Sequence, residues 1–289
     1  MKPIQFLLPS LFCLCLSACD ATASNTSVDL GAFKKKVLSN MVFVKGGTFM
    51  MGDAGTMVMD YNIGKKVHRN WTPYSDARPV HKVTLDSYYI SKYETTWEEY
   101  DRFAEATKRE KRQAKYIGKK EWRGPNYPAS ADSWYAAKQE CQWLGKITNL
   151  PIDLPTEAQW EYAARSRGQN VGYATDNGLL EEGRNVRGPE HGRFPTAVGT
   201  FPPNPLGLYD MAGNMGEWVE DWYAKYNSSA EVNPKGPDTG TRKIFRGGSI
   251  MDSPIGWDIY GRFKYNPKSS GGLSGGWRCA IHTDKPLQD

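Results

Sequence analysis

The stretch Leu154-Pro155-Thr156-Glu157-Ala158-Gln159-Trp160-Glu161-Tyr162-Ala163-Ala164-Arg165 decides how this chain is read. Thr156 is placed to cap a helix, Glu157 puts negative charge in its first turn, and an amphipathic run follows. Glu157 and Glu161 share one helix face, and Arg165 stands four residues after Glu161, where the two can pair. Working outward, Asp132 to Leu144 sets Trp134, Ala137, Cys141 and Leu144 at helical spacing. Further upstream, residues 80–90 alternate like a half-buried strand, and Tyr93-Glu94-Thr95-Thr96 caps a helix from Trp97 to about Ala106. The domain opens at the β-branched run Met41-Val42-Phe43-Val44, followed by paired glycines at Gly46-Gly47. Downstream stand Gly207-Leu208-Tyr209-Asp210-Met211-Ala212-Gly213-Asn214-Met215-Gly216-Glu217-Trp218, then Arg246-Gly247-Gly248-Ser249 and Gly276-Trp277-Arg278-Cys279.

Composition fits a sizeable, loop-rich globular domain. Gly 29 and Pro 18 together make 47 of 289 residues, above the roughly 12% usual for soluble proteins, so irregular backbone should exceed regular elements. The 10 tryptophans and 16 tyrosines supply core bulk. A net charge of +5 is too small for a nucleic-acid footprint, and no nucleic-acid partner is expected. The charge is concentrated in residues 108–123, which hold eight basic and two acidic side chains. Such a run is either a solvated face or a contact for anionic phospholipid or an acidic partner.

The N-terminus carries Lys2, an apolar run over residues 4–16 too short to span a bilayer, and Leu16-Ser17-Ala18-Cys19. This resembles a bacterial lipoprotein signal. On that reading residues 1–18 are a signal peptide, Cys19 is acylated and binds membrane lipid, 19–40 form an anchor and polar tether, and 41–289 form the domain. The expected location is the cell envelope, facing the periplasm, with the choice of membrane open. The mature chain then retains only Cys141 and Cys279. In an oxidising space they form either one disulfide, worth roughly 4 kcal/mol by chain entropy, or a pair of buried free thiols. The four histidines are scattered and no Cys-x-x-Cys exists, so a transition-metal site is poorly supported.

Taken together and in order, the helix string beginning at Leu154, the Gly207–Trp218 string, Arg246–Ser249 and Gly276–Cys279 resemble the formylglycine-generating enzyme, or sulfatase-modifying factor, family over residues 41–282. The resemblance implies an irregular α+β fold related to C-type lectins, with little regular secondary structure. It also implies a Cys141–Cys279 disulfide. The family's copper oxidases carry two cysteines between these last landmarks, matching Asp252 and Trp257, whereas Met251 to Arg278 contains none. Copper(I) prefers soft thiolates. No copper and no catalytic residue are therefore expected.

A structural calcium is the cofactor the resemblance still allows, held by Asp210, Gly213, Met215 and Glu217, with a second set at Asn185, Val186 and Glu190. His81 reads as hydrogen-bonded structure. Ser249 lacks a nearby histidine for a hydrolytic triad. The segment Asp252, Trp257, Tyr260 and Arg262 is expected to form the partner-facing surface, because the family's groove is built there and Trp, Tyr and Arg are hot-spot residues. The functional expectation is a lipid-anchored envelope protein that binds a protein or glycan partner, as an accessory or immunity lipoprotein of a secretion system. The alternative is a copper-independent periplasmic enzyme tailoring a peptide or siderophore.

Overall fold

The computed structural model describes residues 23–117, 119–188, 192, 194–270 and 274–287. Cys19 and the signal-like segment lie outside the described residues, as does Glu190. In chain order the elements are helix α1 (Ala23–Ser39), strands β1 (Met41–Val44), β2 (Gly47–Met51), β3 (Thr56–Asp60), β4 (Lys65–Arg69), β5 (His81–Leu85) and β6 (Tyr88–Ser91), and helices α2 (Trp97–Ala106), α3 (Lys120–Arg123) and α4 (Trp134–Thr148). There follow β7 (Ile152–Asp153), α5 (Glu157–Ala164), β8 (Gly216–Trp222), β9 (Glu231–Val232), β10 (Lys243–Arg246), β11 (Phe263–Tyr265), β12 (Gly275–Trp277) and β13 (Ala280–Ile281). The strands group into small sheets of order β1-β6-β13-β7, β11-β10-β8-β12 and β2-β5-β9, with β3-β4 a ribbon of its own. This is the α+β, loop-rich architecture expected from the sequence. Among the described residues no helix is long and apolar enough to cross a membrane.

Two apolar cores support it. The first gathers Phe49, Val83, Trp160, Tyr162, Trp257 and Tyr260. The second gathers Trp97, Phe103, Trp134, Leu144, Trp218 and Trp277 around the Cys141–Cys279 disulfide. The disulfide joins α4 to the turn after β12 across 138 residues, and it is this pairing, not two free thiols, that the fold contains.

Helix α5 starts as its sequence dictates: Thr156 accepts from the Gln159 amide and the Gln159 side chain accepts from Thr156 N. Its solvent face is reduced to Gln159, however. Glu157, Ala158, Trp160, Glu161, Tyr162, Ala163 and Ala164 are all buried. An amphipathic helix was expected; its polar residues instead face buried arginines.

Helix α1 corrects the tether. The segment from residue 20 to about 38 reads as a polar leash ending in a short helix or strand lead-in, yet the chain is helical from Ala23, and Phe33 and Val37 are buried in the second core. Phe33 lies 5.8 Å from Trp143 of α4, ring to ring, and Lys36 pairs with Glu98 of α2 at 2.7 Å. The Phe33–Val37 spacing of four sets both on one face, a short signal inside an otherwise polar segment.

Candidate functional site

After β10 the chain turns through Gly247 and Gly248, both at positive φ. A Cβ on Gly248 would stand 2.3 Å from the Gly256 carbonyl, so only glycine lets the two ends of the following loop approach. That loop is closed by its own side chains. The Asp252 carboxylate accepts from Ser249 N at 2.8 Å and from its hydroxyl at 2.7 Å. Trp257 Nε1 donates to the Ser249 carbonyl at 2.8 Å, and its ring lies against Gly213. The two positions matching the oxidase thiols thus hold a hard carboxylate engaged with Ser249 and a buried indole. Cys279 cannot substitute, being bonded to Cys141.

The expected partner surface is corrected by the same geometry. Trp257, Tyr260 and Arg262 are 3%, 1% and 5% exposed, and Asp252 alone is half-buried. Tyr260 packs in the first core and donates to the Val171 carbonyl at 2.9 Å. In an irregular loop no periodicity tells inward from outward, and here the large side chains fill the core.

Arg262 turns inward because α5 requires it. Glu157 receives Arg246 at 2.5 Å and Arg262 at 2.6 and 2.8 Å. Glu161 receives Arg246 and Arg165, each at 2.9 Å, and Gly52 N at 2.8 Å. The predicted Glu161–Arg165 pair is therefore present, inside a larger network. Burial alone would raise the Glu157 pKa, but Arg262 and Arg246 outweigh it and hold the carboxyl below its ordinary range. These residues clamp α5 to β10 and to the chain entering β11.

The profile of the sulfatase-modifying factor enzyme 1-like domain matches residues 26–283. The chain belongs to this family. It is 39% identical over 106 residues to the formylglycine-generating enzyme of Streptomyces coelicolor, covering 35% of this chain and 33% of that enzyme. It is 40% identical over 89 residues to the serine/threonine-protein kinase pkn1 of Chlamydia pneumoniae, covering 29% of this chain and 14% of the kinase. The match spans a third or less of each of these relatives. Among solved structures, PvdO from Pseudomonas aeruginosa superposes with a TM-score of 0.64 at 26% identity, covering 84% of this chain and 94% of PvdO.

In this family member the calcium residues part company. Glu217 is filled: its oxygens accept Arg278 Nε at 2.8 and 3.0 Å, Arg278 Nη2 at 2.7 Å and Trp160 Nε1 at 2.7 Å. Its expected part as a ligand is corrected to that of counter-ion for Arg278. Asp210 uses one oxygen to accept Gly199 N at 2.8 Å. Glu94, not foreseen in this role, accepts from Met215 N at 2.8 Å and Asn214 Nδ2 at 2.6 Å. Two buried carboxyls, Glu94 and Glu217, and the half-buried Asp210 thus act on one guanidinium, that of Arg278. Burial first, then the charges of Asp210 and Glu217, raises the Glu94 pKa, and burial lifts Asp210 to about 6. Of the two acidic residues in this expected calcium set, Asp210 is the one not hydrogen-bonded to an arginine, and so the one that could hold a divalent cation. The second set does not suit one. Asn185 Oδ1 accepts from Glu181 N, its amide staples the Asp176–Leu179 turn, and the Val186 carbonyl accepts from Gly183 N.

Two open sites bring a histidine together with carboxyl groups. A groove of about 520 Å³ is walled by Asp153, Gln159, Glu220, Asn233, Lys235 and His282. His282 bonds to the Leu154 carbonyl and to the Gln159 side chain. A second cavity, about 390 Å³, is lined by His81, Asp221, Tyr226 and Arg262. His81 is tied to the Pro79 carbonyl at 3.2 Å and packs at a tilt against the Tyr226 ring, the structural part expected of it. Asp221 is buried and accepts Glu157 N at 2.7 Å; burial, then the Glu157 charge, pushes its pKa up to about 8. Nothing local marks Asp221 in sequence, because its perturbation comes from contacts 64 residues away.

Proposed function

We propose that this chain is a lipid-anchored protein of the bacterial cell envelope, held by Cys19 and facing the periplasm, whose domain binds a protein or glycan partner and does not use copper. The observation that carries the non-oxidase part is the loop closed by Asp252 and Trp257, where a cuprous centre needs two thiolates. The partner site moves from the buried Trp257 segment to the 520 Å³ groove, whose amide, carboxylate, ammonium and imidazole groups can match a polar chain. The test has two arms. Purified protein given Cu(I), oxygen and a cysteine-containing peptide should form no aldehyde; aldehyde formation would reverse the reading. In cross-linking pull-downs from envelope extracts, Asn233→Ala with Lys235→Glu should lose a partner that the wild type captures, and unchanged capture would remove the groove from consideration.

The enzymatic reading has one observation of its own. Asp221 holds a proton near neutral pH at the wall of the 390 Å³ cavity, as an acid–base group must. It predicts that envelope peptides gain a mass change on incubation with the protein, and that Asp221→Asn abolishes it.

A further inference from the structure

The ribbon β3–β4 is the most exposed apolar feature of the described structure. It pairs with no other strand. Alternate positions along β3 and into its tip, Met57, Met59, Tyr61 and Ile63, are 57%, 44%, 92% and 58% exposed. The register sets Met59 opposite Lys66, and residues directly opposite in an antiparallel pair share a face. Lys65 follows the tip at once, and both lysines are exposed. Asp60 is the only carboxylate in the ribbon; it faces Lys65 across the strands and lies 3.8 Å from Arg69. Val58 and Val67, opposite one another, are half-buried. One edge and the tip are thus apolar, and cations flank them.

We propose that this hairpin docks on an anionic phospholipid surface, seating Tyr61 and Ile63 at the interface while Lys65 and Lys66 meet headgroup phosphates. Tyrosine has an apolar body and a polar tip, and lysine keeps its charge in water while its stem lies along apolar surface. Apolar and cationic side chains alternating on an exposed hairpin match the layered chemistry of a bilayer interface, apolar inward and anionic outward. The surplus of cations over the single carboxylate complements anionic lipid, at about 1 kcal/mol for each basic group near the surface. Length adds to this. Only four peptide steps separate Cys19 from Ala23, where α1 begins, so an acyl chain on Cys19 holds the helix start within about 14 Å of the lipid. One lipid chain gives only marginal membrane binding unless a second contact assists it. The inference rests on the anchored reading for its setting and not for its test.

The test uses the full chain carrying Cys19→Ala, so that no acyl chain contributes and the N-terminal apolar run is common to every variant. Flotation is compared with vesicles of three parts phosphatidylethanolamine to one part phosphatidylglycerol, and with pure phosphatidylcholine. The parent should bind the anionic vesicles more tightly, and high salt should weaken the difference. Lys65→Glu with Lys66→Glu should weaken anionic binding by roughly 25-fold or more. Tyr61→Asp with Ile63→Asp should also weaken it, and Tyr61→Trp should blue-shift its emission on vesicles. All these positions are exposed, and matching thermal melts establish that each variant is folded. Equal binding by parent and variants to anionic vesicles, or no preference of the parent for them, overturns the proposal, as does a hairpin variant that instead loses a captured protein. The anchored reading fails separately, if the intact mass of protein from cells shows no acyl group at Cys19.

Discussion

Arg262 grips Glu157 with two parallel hydrogen bonds, Nε to Oε1 at 2.6 Å and Nη2 to Oε2 at 2.8 Å, with both side chains buried. Arg262→Ala leaves Glu157 with Arg246 and part of its charge uncompensated, so urea unfolding should show a loss of about 3–5 kcal/mol. Pairing it with Glu157→Gln should cost less than the sum of the single changes, because the two residues share one interaction.

The loop that replaces the thiol segment is held by Trp257. Truncation to alanine removes the Nε1 bond to Ser249 and the ring that packs on Gly213, so Trp257→Ala should destabilise by about 3–5 kcal/mol. Asp252→Asn keeps an acceptor for Ser249 and should cost less than about 1.5 kcal/mol. If Trp257→Ala unfolds with an unchanged midpoint, the indole is not a core residue.

How far such residues could be read from sequence depended on how local their cause was. Thr156 and Gln159 cap α5 through bonds three residues apart, and the string that encodes them was legible. The Cys141–Cys279 pairing came from the family resemblance, because the count of thiols alone left a free pair open. Trp257, Tyr260 and Arg262 were misassigned to the surface because a loop without a period carries no sidedness, and their partners Gly213, Val171 and Glu157 are distant in the chain. Phe33 and Val37 of α1 were missed because two apolar residues in a lysine-rich segment read as a tether until α4 is there to receive them. Glu94, Glu140 and Asp221 are ordinary carboxylates in sequence; only burial by other segments gives them their properties.

Removing the disulfide separates its effect from packing. Cys141→Ser with Cys279→Ser releases a constraint spanning 138 residues and should lower stability by about 4 kcal/mol, with the fold retained at low temperature. The intact mass of the wild type should rise by two hydrogen atoms under reductant. An unchanged mass would show that the thiols are free.

Stability should fall as pH rises from the ordinary carboxylate range toward about 8. Burial pushes Glu140 up to about 8, despite the hydrogen bond from Trp277 and with some help from Glu99, and Asp221 lies there as well. In that window the folded chain holds protons that the unfolded chain has released, so each unit of pH favours unfolding. One Glu140 oxygen accepts Trp277 Nε1 at 3.0 Å, and the other has no partner among the described residues. Glu140→Gln should therefore raise the melting temperature above that of the wild type at pH 8.5 and narrow the gap at pH 5. Glu157 acts oppositely. Its depressed pKa contributes stability above the ordinary range that is lost as acid protonates it, so a maximum between the two limits is expected.

Protons and calcium should compete at the Asp210 loop. Glu94 and Asp210 bind protons more readily than free carboxyls because burial first, then neighbouring carboxylate charge, penalises ionisation by more than Arg278 and the backbone amides of Met215 and Gly199 offset. A calcium ion on Asp210 and the carbonyls of Gly213 and Met215 would relieve the same excess, and any ligand that binds only the folded state raises its melting temperature. Millimolar calcium should therefore raise the wild-type melting temperature at pH 7.5, with a smaller rise at pH 5, where Asp210 is mostly protonated. Asp210→Ala should abolish the rise, whereas the remote Asp176→Ala should leave it intact, since the Asn185 turn offers no free ligand oxygen. A melting temperature indifferent to calcium and chelator at both pH values would mean that bound protons alone balance the buried charge, and that Asp210 serves only to hold Gly199.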